Sequence, residues 1–297
     1  MRKLMVAAAL LLGFVPSIHT FAQTSNATLA GTVSDASGAL IPGVTVSATN
    51  TATGIVTTVL SNEAGAYQFA SLQTGTYKVS AELAGFRTQA YNNVALGVSQ
   101  QVRLNFTLQV GGVAQSVEVT VAGDTLIATS SSSVGSVLPE YKVRDLPLSG
   151  RQVIDLVRTT AGTVGSNFAG GRTSAVNTTR DGFVVSDGRY DHGAYSVNFV
   201  SPDLVEEVRI ITAPVDAEAE RGAGQVQMVT RSGTNQLRGS LFWNNRNSAL
   251  DASNWFNNFN SVGKNYENRN QFGGRLGGPI TKNKTFFFML IDRKSVV

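Results

Sequence analysis

Between residues 26 and 108, apolar and polar residues alternate with a period of two. Apolar side chains recur at every second position in four runs, which are Val44/Val46/Ala48, Tyr67/Phe69, Tyr77/Val79/Ala81/Leu83 and Val102/Leu104/Phe106/Leu108. Alternation of this kind lines one face of a β-strand. Turn sequences that contain Gly separate the runs at intervals of about ten residues, which is typical of a small sandwich. The pattern predicts a β-sandwich of about seven strands over residues 24–110.

A second region, residues 134–232, combines short β-type runs with one helical segment. Two of these runs, 205–212 and 225–230, flank an acidic turn that contains Gly, and together they predict a hairpin-like unit. Arg180-Asp181-Gly182-Phe183 places an Asp-Gly turn ahead of an apolar strand. The hexapeptide LPLSGR at 146–151 precedes apolar residues at 153, 154, 156 and 157, which predicts a turn into a short amphipathic helix. This region therefore has an α+β pattern.

After residue 235 the strand-length segments become aromatic. Segments 237–245, 270–276 and 284–292 are of strand length, with 9, 7 and 9 residues, and membrane strands need about 9 to 11 residues. Their alternation is imperfect because 286–291 is apolar at every position, so an edge strand of a soluble sheet or an aggregation-prone stretch stays an alternative. Five aromatic residues are candidates for the girdle at a membrane boundary: Trp243, Trp255, Phe256, Phe259 and Phe272.

The first 22 residues have the pattern of an export signal. Arg2 and Lys3 precede an apolar run at 4–15, and Thr20-Phe21-Ala22 places small residues where a signal peptidase cleaves. We expect the mature chain to begin at Gln23. The chain contains no Cys, which excludes lipid attachment at the cleavage site, disulfides and thiolate metal ligands.

Composition and charge exclude several other classes. The chain has 297 residues, of which 42% are hydrophobic, 15% are charged and 30 are Gly, so a globular and mainly β protein is expected. The formal net charge of +4 falls to about +2 when the leader is removed, and the remaining basic residues are scattered, so we expect no nucleic-acid partner.

Catalytic motifs are not found in the sequence. His192 is the only His after the leader, so neither a two-His zinc site nor an HExxH helix can form within this chain. The chain also has no GxSxG elbow and no phosphate-binding Gly loop. We expect no catalytic residues, no metal, no cofactor and no enzyme activity.

Three stretches carry a resemblance to known families. GTVSDASGALIPGVTVSATN and NEAGAYQFASLQTGTYKVSAELAGF resemble the carboxypeptidase regulatory-like domain, a non-catalytic transthyretin-like sandwich. LPLSGR, RDGF and the ordered run from VEEVRI to VTRSGTN resemble the plug domain of TonB-dependent outer-membrane receptors, although Ala161-Gly162-Thr163 lacks the Pro usual in the family's turn. SGTNQLRGSLFWNN and RNQFGGRLGGPITKNKTFFF resemble the first barrel strands of Oar-like receptors.

The resemblance implies a mainly β chain in successive parts. These are a signal peptide at 1–22, a transthyretin/Ig-like β-sandwich at 24–110, a linker at 111–133, an α+β plug at 134–232 and the first strands of an incomplete transmembrane β-barrel at 233–297. About 22 strands close a barrel of this kind, so we expect this chain to be the N-terminal part of a longer receptor. The implied location is the outer membrane, with the sandwich in the periplasm.

The same resemblance implies energised uptake and the partners that it requires. These would be a TonB-type energy-coupling protein, outer-membrane lipid, and an external ligand such as an oligosaccharide, a peptide or a chelate. A secreted adhesin or structural protein would explain residues 26–108 equally well, but not the order of LPLSGR, RDGF and VTRSGTN. A glycan importer of the related sandwich-bearing type is an alternative within the class.

Two groups of site residues follow from the resemblance. Glu118, Val119, Thr120 and Val121 resemble the TonB box, which binds the coupling protein by strand addition; the alternative is an ordinary edge strand. Loops beyond the Asp-Gly strand point into the lumen in such receptors, which makes candidates for ligand contact of Asp187, Arg189, Tyr190, Asp191, His192 and Tyr195. For each of these the alternative is a solvated surface loop.

Overall fold

The structure is a computed structural model that describes residues 26–111, 116–120, 134–146, 148–165, 167–168, 170–186, 193–213 and 224–296. Strands dominate this part of the chain, and its two α-helices are short. The predicted mainly β fold class is confirmed. The leader lies outside the described residues. None of the helices that are described is long and apolar enough to span a membrane.

The N-terminal unit is a two-sheet β-sandwich. Its strands are β1 Ala27–Asp35, β2 Thr45–Asn50, β3 Val56–Leu60, β4 Ala66–Leu72, β5 Gly75–Glu82, β6 Thr88–Leu96, β7 Gln101–Arg103, β8 Phe106–Leu108 and β9 Ser116–Thr120. One sheet has the order β4-β1-β7, with β8 also on β1, and the other has the order β3-β2-β5-β6-β9. Since β7 and β8 both run parallel to β1, they are one interrupted strand, and residues 27–108 form the seven strands expected.

Alternation along the strands builds the sandwich core. Every second residue of β1 is buried, from Ala27 through Leu29 to Val33, and Phe106 of β8 is fully buried against them. The hydroxyl of Tyr67 donates a 2.6 Å hydrogen bond to the carbonyl of Leu104, which satisfies the one polar atom of that buried ring. Gly31 is required at this contact, because a Cβ there would lie 1.8 Å from the Leu104 carbonyl oxygen.

The second unit is the α+β domain. Its elements are β10 Val134–Leu138, α1 Glu140–Asp145, a 3₁₀ helix Val153–Thr159, β11 Thr163–Val164, β12 Asn167–Phe168, a 3₁₀ turn Thr173–Ala175, β13 Val176–Arg180, β14 Phe183–Val184, β15 Val205–Ala213 and β16 Gly224–Thr230. The main sheet has the order β10-β15-β16-β13-β14. The hairpin-like unit is confirmed as the antiparallel pair β15 and β16. The helix after LPLSGR forms as a 3₁₀ helix, and α1 before it had no sequence signal.

The Asp-Gly turn locks this sheet. Asp181 and Gly182 both have positive φ, 51° and 82°, which a tight turn between β13 and β14 requires. The Asp181 carboxylate accepts hydrogen bonds from the amide and the hydroxyl of Thr230, at 2.8 and 2.9 Å. The turn is therefore fixed to the last residue of β16, where the chain leaves this domain.

The third unit is an antiparallel sheet in the order β17-β18-β19. The elements are β17 Arg238–Asn247, a 3₁₀ turn Ser248–Leu250, α2 Trp255–Phe259, β18 Asn268–Thr281 and β19 Thr285–Val296. All three strands extend beyond the segments predicted for them. A turn of three residues, 282–284, joins β18 to β19 at one end, and a loop of 20 residues, 248–267, joins β17 to β18 at the other. Among the described strands, β17 and β19 pair only with β18, so this sheet is open at both edges.

The register of this sheet separates its side chains by chemistry. One face carries exposed apolar residues, which are Leu241, Trp243, Phe272, Leu276, Ile280, Met289 and Ile291. The opposite face carries Arg246, Arg269, Gln271, Arg275 and Asp292. The apolar run at 286–291 has a simple explanation, since Phe286 and Phe288 lie on the polar face where Gly233 and Gly277 leave room for their rings. We call these faces the outer face and the inner face.

We predict that Leu29→Ala destabilises the isolated sandwich, residues 24–110, by about 2–5 kcal/mol, because Leu29 is fully buried in β1. The sandwich core is formed entirely by residues 27–108, so this fragment keeps it whole. Urea unfolding followed by circular dichroism measures the change.

Leu60→Ala is the matched control, since Leu60 is 66% exposed and its truncation is expected to change stability by less than about 0.5 kcal/mol. Equal effects of the two substitutions, or a random-coil spectrum of the parent fragment, would contradict this description of the core.

Candidate functional site: the junction of sandwich, α+β domain and third sheet

The α+β domain meets the inner face of the third sheet through charged side chains. Arg151 donates to Asp203 at 2.9 Å, and Arg275 of β18 lies 4.0 Å from the other oxygen of the same carboxylate. Arg275 also lies 3.7 Å from Glu140, which in turn bonds Arg231 at 2.5 Å. The five residues form a chain of alternating charge that crosses from the domain to the sheet.

This network is mostly buried, although the Glu140 side chain is 45% exposed, and its hydrogen bonding is incomplete. Asp203 is 7% and Arg231 is 9% exposed at the side chain. Among the described residues, Nε and Nη2 of Arg231 and Nη1 of Arg275 have no hydrogen-bond acceptor. Burial raises the pKa of Glu206, which the nearby Arg231 only partly offsets. Charges removed from water and imperfectly paired hold a contact less firmly than an apolar core of the same size.

A basic cleft of about 600 Å³ lies beside the network, between the LPLSGR segment and strands β17 and β18. Its basic residues are Arg144, Arg151, Arg246 and Arg269. Arg246 donates to the Ser149 hydroxyl at 2.8 Å, and Arg269 donates to the Ser149 carbonyl. These bonds fasten the segment to the inner face near the end of the sheet that carries the long loop.

The sandwich contacts the α+β domain through a clamp on one turn. Glu207 and Arg209 lie two residues apart on β15 and therefore on one face of it. The Glu207 carboxylate accepts from the Val98 amide at 2.8 Å, and Arg209 donates to the carbonyls of Val98 and Ser99, both at 2.7 Å. Burial raises the pKa of Glu207, while the Val98 amide and the charge of Arg209 act in the opposite direction. We call this contact the β15 clamp.

A second contact joins the sandwich to the third sheet. Asn235, in the segment that links β16 to β17, donates from its side chain to the Thr53 carbonyl and to the Asn283 side chain, both at 2.6 Å. Its backbone amide donates to the Ala52 carbonyl at 3.0 Å. Asn283 belongs to the three-residue turn between β18 and β19. The sandwich thus lies at the short-turn end of the sheet.

The candidate ligand-contact residues are mostly outside the described part of the chain. Asp187, Arg189, Tyr190, Asp191 and His192 fall there, while Tyr195 is described and 36% exposed. Phe199 is the nearest described aromatic residue after the candidates. The Nζ atom of Lys294, on β19, lies 5.9 Å from the centre of the Phe199 ring. Lys294 is close to the end of β19 that is remote from the short turn. The segment that follows the candidates therefore lies at the opposite end of the third sheet from the sandwich.

The candidate box residues fall on the edge of the sandwich. Glu118, Val119 and Thr120 belong to β9, which runs parallel to β6 with Ala90, Tyr91 and Asn92 as their partners. Val121 lies outside the described residues. The alternative of an edge strand is therefore what the backbone shows. An edge strand keeps one row of backbone donors and acceptors unpaired, so this placement does not decide against a box.

The clamp and the Asn235 contact were missed by sequence reasoning. Glu207 and Arg209 were visible as charged residues in an otherwise apolar strand, but nothing in the sequence indicated a partner more than 100 residues away. Glu206 lies in a cleft with Arg231, whereas Glu207 contacts the sandwich, and the pairing of β15 with β16 is irregular between Val205 and Glu207.

Comparison with known proteins matches the N-terminal and C-terminal parts of the chain to two different domain families. Residues 28–109 match the family model of the carboxypeptidase regulatory-like domain, and residues 229–294 match that of an outer membrane beta barrel domain. The chain is 30% identical to the TonB-dependent transporter Oar of Myxococcus xanthus over 302 aligned residues, which cover 95% of this chain and 27% of the relative. It thus spans about a quarter of that relative's length.

Solved structures of two receptors are also similar to the chain. The siderophore receptor PirA of Acinetobacter baumannii is 18% identical with a TM-score of 0.41, over 55% of this chain and 24% of that one. The ferric-catecholate import receptor Fiu of E. coli K12 is 14% identical with a TM-score of 0.31, over 56% and 27%. With both TM-scores below 0.5, the assignment rests on the sequence relative and the family models.

These matches define the class of the chain: a carboxypeptidase regulatory-like sandwich is followed by a sequence of the outer-membrane β-barrel type. Within that class the chain is related to the Oar-like TonB-dependent receptors. The resemblance predicted from its motifs is thereby confirmed.

We predict that Arg209→Ala loosens the contact between the sandwich and the α+β domain while both stay folded. Two charge-assisted hydrogen bonds to backbone carbonyls are lost, each worth about 1.5–3 kcal/mol, so docking should weaken at least tenfold. The chain has no Cys, so spin labels at Glu63→Cys and Tyr141→Cys report the distance between the units.

The expected result is a narrow distance distribution in the parent protein and a broad one in the variant. The control, Arg158→Ala, removes an exposed arginine of the α+β domain and should leave the distribution narrow. Unchanged distances in Arg209→Ala would reject the clamp.

Docking should also strengthen as the pH falls. The docked state raises the pKa of Glu207 above its ordinary value, so it binds more protons than the undocked state. This contribution is fully present below the ordinary carboxyl pKa of 4.5 and is lost as the pH rises through the raised value. The same pair of labels measures the docked fraction.

Glu207→Gln keeps the shape of the side chain and an acceptor oxygen, and it should remove the pH dependence of docking. An unaltered pH profile in that variant would contradict the assignment of the pH dependence to Glu207.

Proposed function

We propose that this chain forms the N-terminal part of a TonB-dependent outer-membrane receptor for energised ligand uptake. The observation that carries the proposal is the division of the third sheet into an apolar outer face and a charged inner face that contacts the α+β domain. A wall that is apolar outside and polar inside, with a domain against its inner side, is the arrangement a plugged transmembrane barrel requires.

The dimensions of the outer face agree with a membrane. Along β18 its apolar positions run from Phe272 to Ile280, about 27 Å at about 3.4 Å per residue. With the usual tilt of about 35–45°, that length gives a band of about 20 Å, comparable with the apolar band of about 25 Å on outer-membrane barrels. Trp243 and Phe272 are neighbours in register at the end of the apolar band nearer the loop 248–267, where girdle aromatics are expected. We place outer-membrane lipid against this face.

The short turn sets the orientation. Outer-membrane barrels have short periplasmic turns and long external loops. Asn235 bridges Thr53 of the sandwich to Asn283 in the short turn, which supports a periplasmic sandwich. The loop at 248–267, which carries Trp255, Phe256 and Phe259, would then lie outside the cell.

The same orientation supports a ligand site at the external end. Phe199 lies beside Lys294 at that end, so the chain around Phe199 would face incoming ligand. We keep Asp187, Arg189, Tyr190, Asp191, His192 and Tyr195 as the proposed ligand contacts. An oligosaccharide, a peptide or a chelate would each suit this mixture of hydroxyl, carboxylate and guanidinium groups, and the chain is proposed to act as a transporter and to catalyse no reaction.

The energy source would act through the box strand. A TonB-type coupling protein would add a strand to Glu118-Val119-Thr120-Val121 and pull on the α+β domain, which we propose is the plug. The network from Arg151 to Arg231 suits a plug that must be held and yet move, because ion pairs can exchange for water at a smaller cost than an apolar core. The adhesin alternative leaves both the outer face and this network without a role.

The test is the conductance of the full-length receptor in planar bilayers, because it requires no knowledge of the ligand. We predict that the intact protein is closed and that deletion of residues 134–230 opens a large, stable pore, since the plug is what fills the lumen. Deletion of residues 26–108 is the matched control, which should leave the protein closed.

Heat-modifiable mobility on gels shows that each variant has folded as a barrel. A folded deletion of 134–230 that stays closed would contradict the plug assignment. Recovery of the full-length protein from the secreted fraction would favour the adhesin.

A further inference from the structure

We infer that the sandwich presents the box strand to the coupling protein, so that β9 stays paired to β6 while the partner adds its own strand to the other edge of β9. The sheet that binds the partner would have the order β3-β2-β5-β6-β9 followed by the partner strand. This inference rests on the proposed function, because it takes β9 to contain the box.

The first support is that β9 pairs along only one of its two edges among the strands that the structure describes. Five consecutive residue pairs, from Thr88 with Ser116 to Asn92 with Thr120, join β9 to β6 in parallel. β9 is the last strand of its sheet, and no other described strand pairs with it. Strand addition needs one free row of backbone amides and carbonyls and makes little demand on side chains. That row is the one opposite β6.

The second support is that the chain ahead of β9 is fastened. The Arg87 amide donates to the Gln109 carbonyl at 2.8 Å, and the Gly111 amide donates to the Gly85 carbonyl at 3.1 Å. Phe86 and Val110 form a bridge at the same place. The start of the box strand is therefore fixed to the sandwich on both sides of residues 112–115, and β9 is held extended. A peptide of the same sequence must be ordered by the partner at the cost of its conformational entropy.

The third support is that the presenting strand leads directly to the plug. β6 ends at Leu96, and the next turn, Val98-Ser99, is the one that Glu207 and Arg209 hold. A partner that pulls on β9 would therefore load β15 through β6 and the β15 clamp, as well as through the chain at 121–133. If β9 instead had to leave β6 before binding, the clamp would carry no load.

The test cross-links β9 to β6 by an engineered disulfide in the full-length receptor. Asn92 and Thr120 are partners in register, and neighbouring strands lie about 4.8 Å apart, within the Cα–Cα range for a disulfide. Asn92→Cys with Thr120→Cys gives the only Cys pair within residues 1–297, and the parent receptor treated with the same oxidant and reductant is the matched control. The probe is the purified C-terminal domain of the TonB-type protein from the same cell, and the readout is its affinity for the detergent-solubilised receptor.

We expect the oxidised receptor to bind this domain within twofold of the reduced receptor or more tightly, and a free peptide of residues 113–124 to bind at least tenfold more weakly than either. Loss of binding on oxidation, with recovery on reduction, would overturn the inference and show that the sandwich masks the box. A peptide that binds as tightly as the receptor would overturn the claim that the sandwich prepares the strand.

A separate variant distinguishes failure of the underlying function. Val119→Pro removes a backbone donor from the box strand and should abolish binding of the coupling domain. If the Val119→Pro receptor binds the coupling domain as tightly as the reduced parent receptor, then residues 118–121 are not the box and the proposed function loses its coupling site.

Discussion

The pairing register of β17, β18 and β19 is the constraint on which the rest of the structure depends. A shift by one residue in β17 or β18 would move its outward-facing apolar residues to the inner face and its inward-facing charges to the outer face. With the observed register, Arg246 is opposite Arg269 and Ser240 is opposite Arg275, so the guanidinium groups point towards the α+β domain. The like charges of Arg246 and Arg269 are tolerated because Glu267 lies 3.5 Å from each of them.

This register explains why the domain contacts the sheet through charges. An inner face that carries arginines cannot be covered by an apolar surface without leaving charges unpaired and buried. Asp203 and Glu140 supply the opposite charge, and Ser149 supplies further acceptors. The domain keeps its own apolar core, with Leu156, Phe168 and Ile210 among its buried members, so its folding does not depend on the contact with the sheet. A separately folded body held by polar contacts is what a movable plug requires.

Sequence reasoning succeeded where the period of side chains was decisive. The alternation at 102–108 predicted the buried positions Val102, Leu104, Phe106 and Leu108, and the Asp181-Gly182 turn followed from the two residues that best tolerate positive φ. It was less successful where partners are remote in sequence. The β15 clamp joins residues that lie 109 to 111 positions apart, and the parallel pairing of β9 with β6 depends on a crossover through β7 and β8 that no local pattern encodes. The apolar run at 286–291 appeared irregular because its inner residues fill space left by Gly233 and Gly277, which only the packed sheet reveals.

The central claim, that the outer face meets lipid and the inner face meets the plug, is open to a direct measurement. Single Cys residues placed in the full-length receptor, at Leu241 and Ile291 on the outer face and at Asn244 and Asp292 on the inner face, carry spin labels in membranes. Collision with lipid-soluble oxygen and with a water-soluble nickel chelate then reports the surroundings of each label. We predict that the outer labels collide with oxygen and not with the chelate, while the inner labels are protected from oxygen. Labels at 241 and 291 that collide freely with the chelate, or no difference between the two faces, would show that this sheet is not a membrane wall.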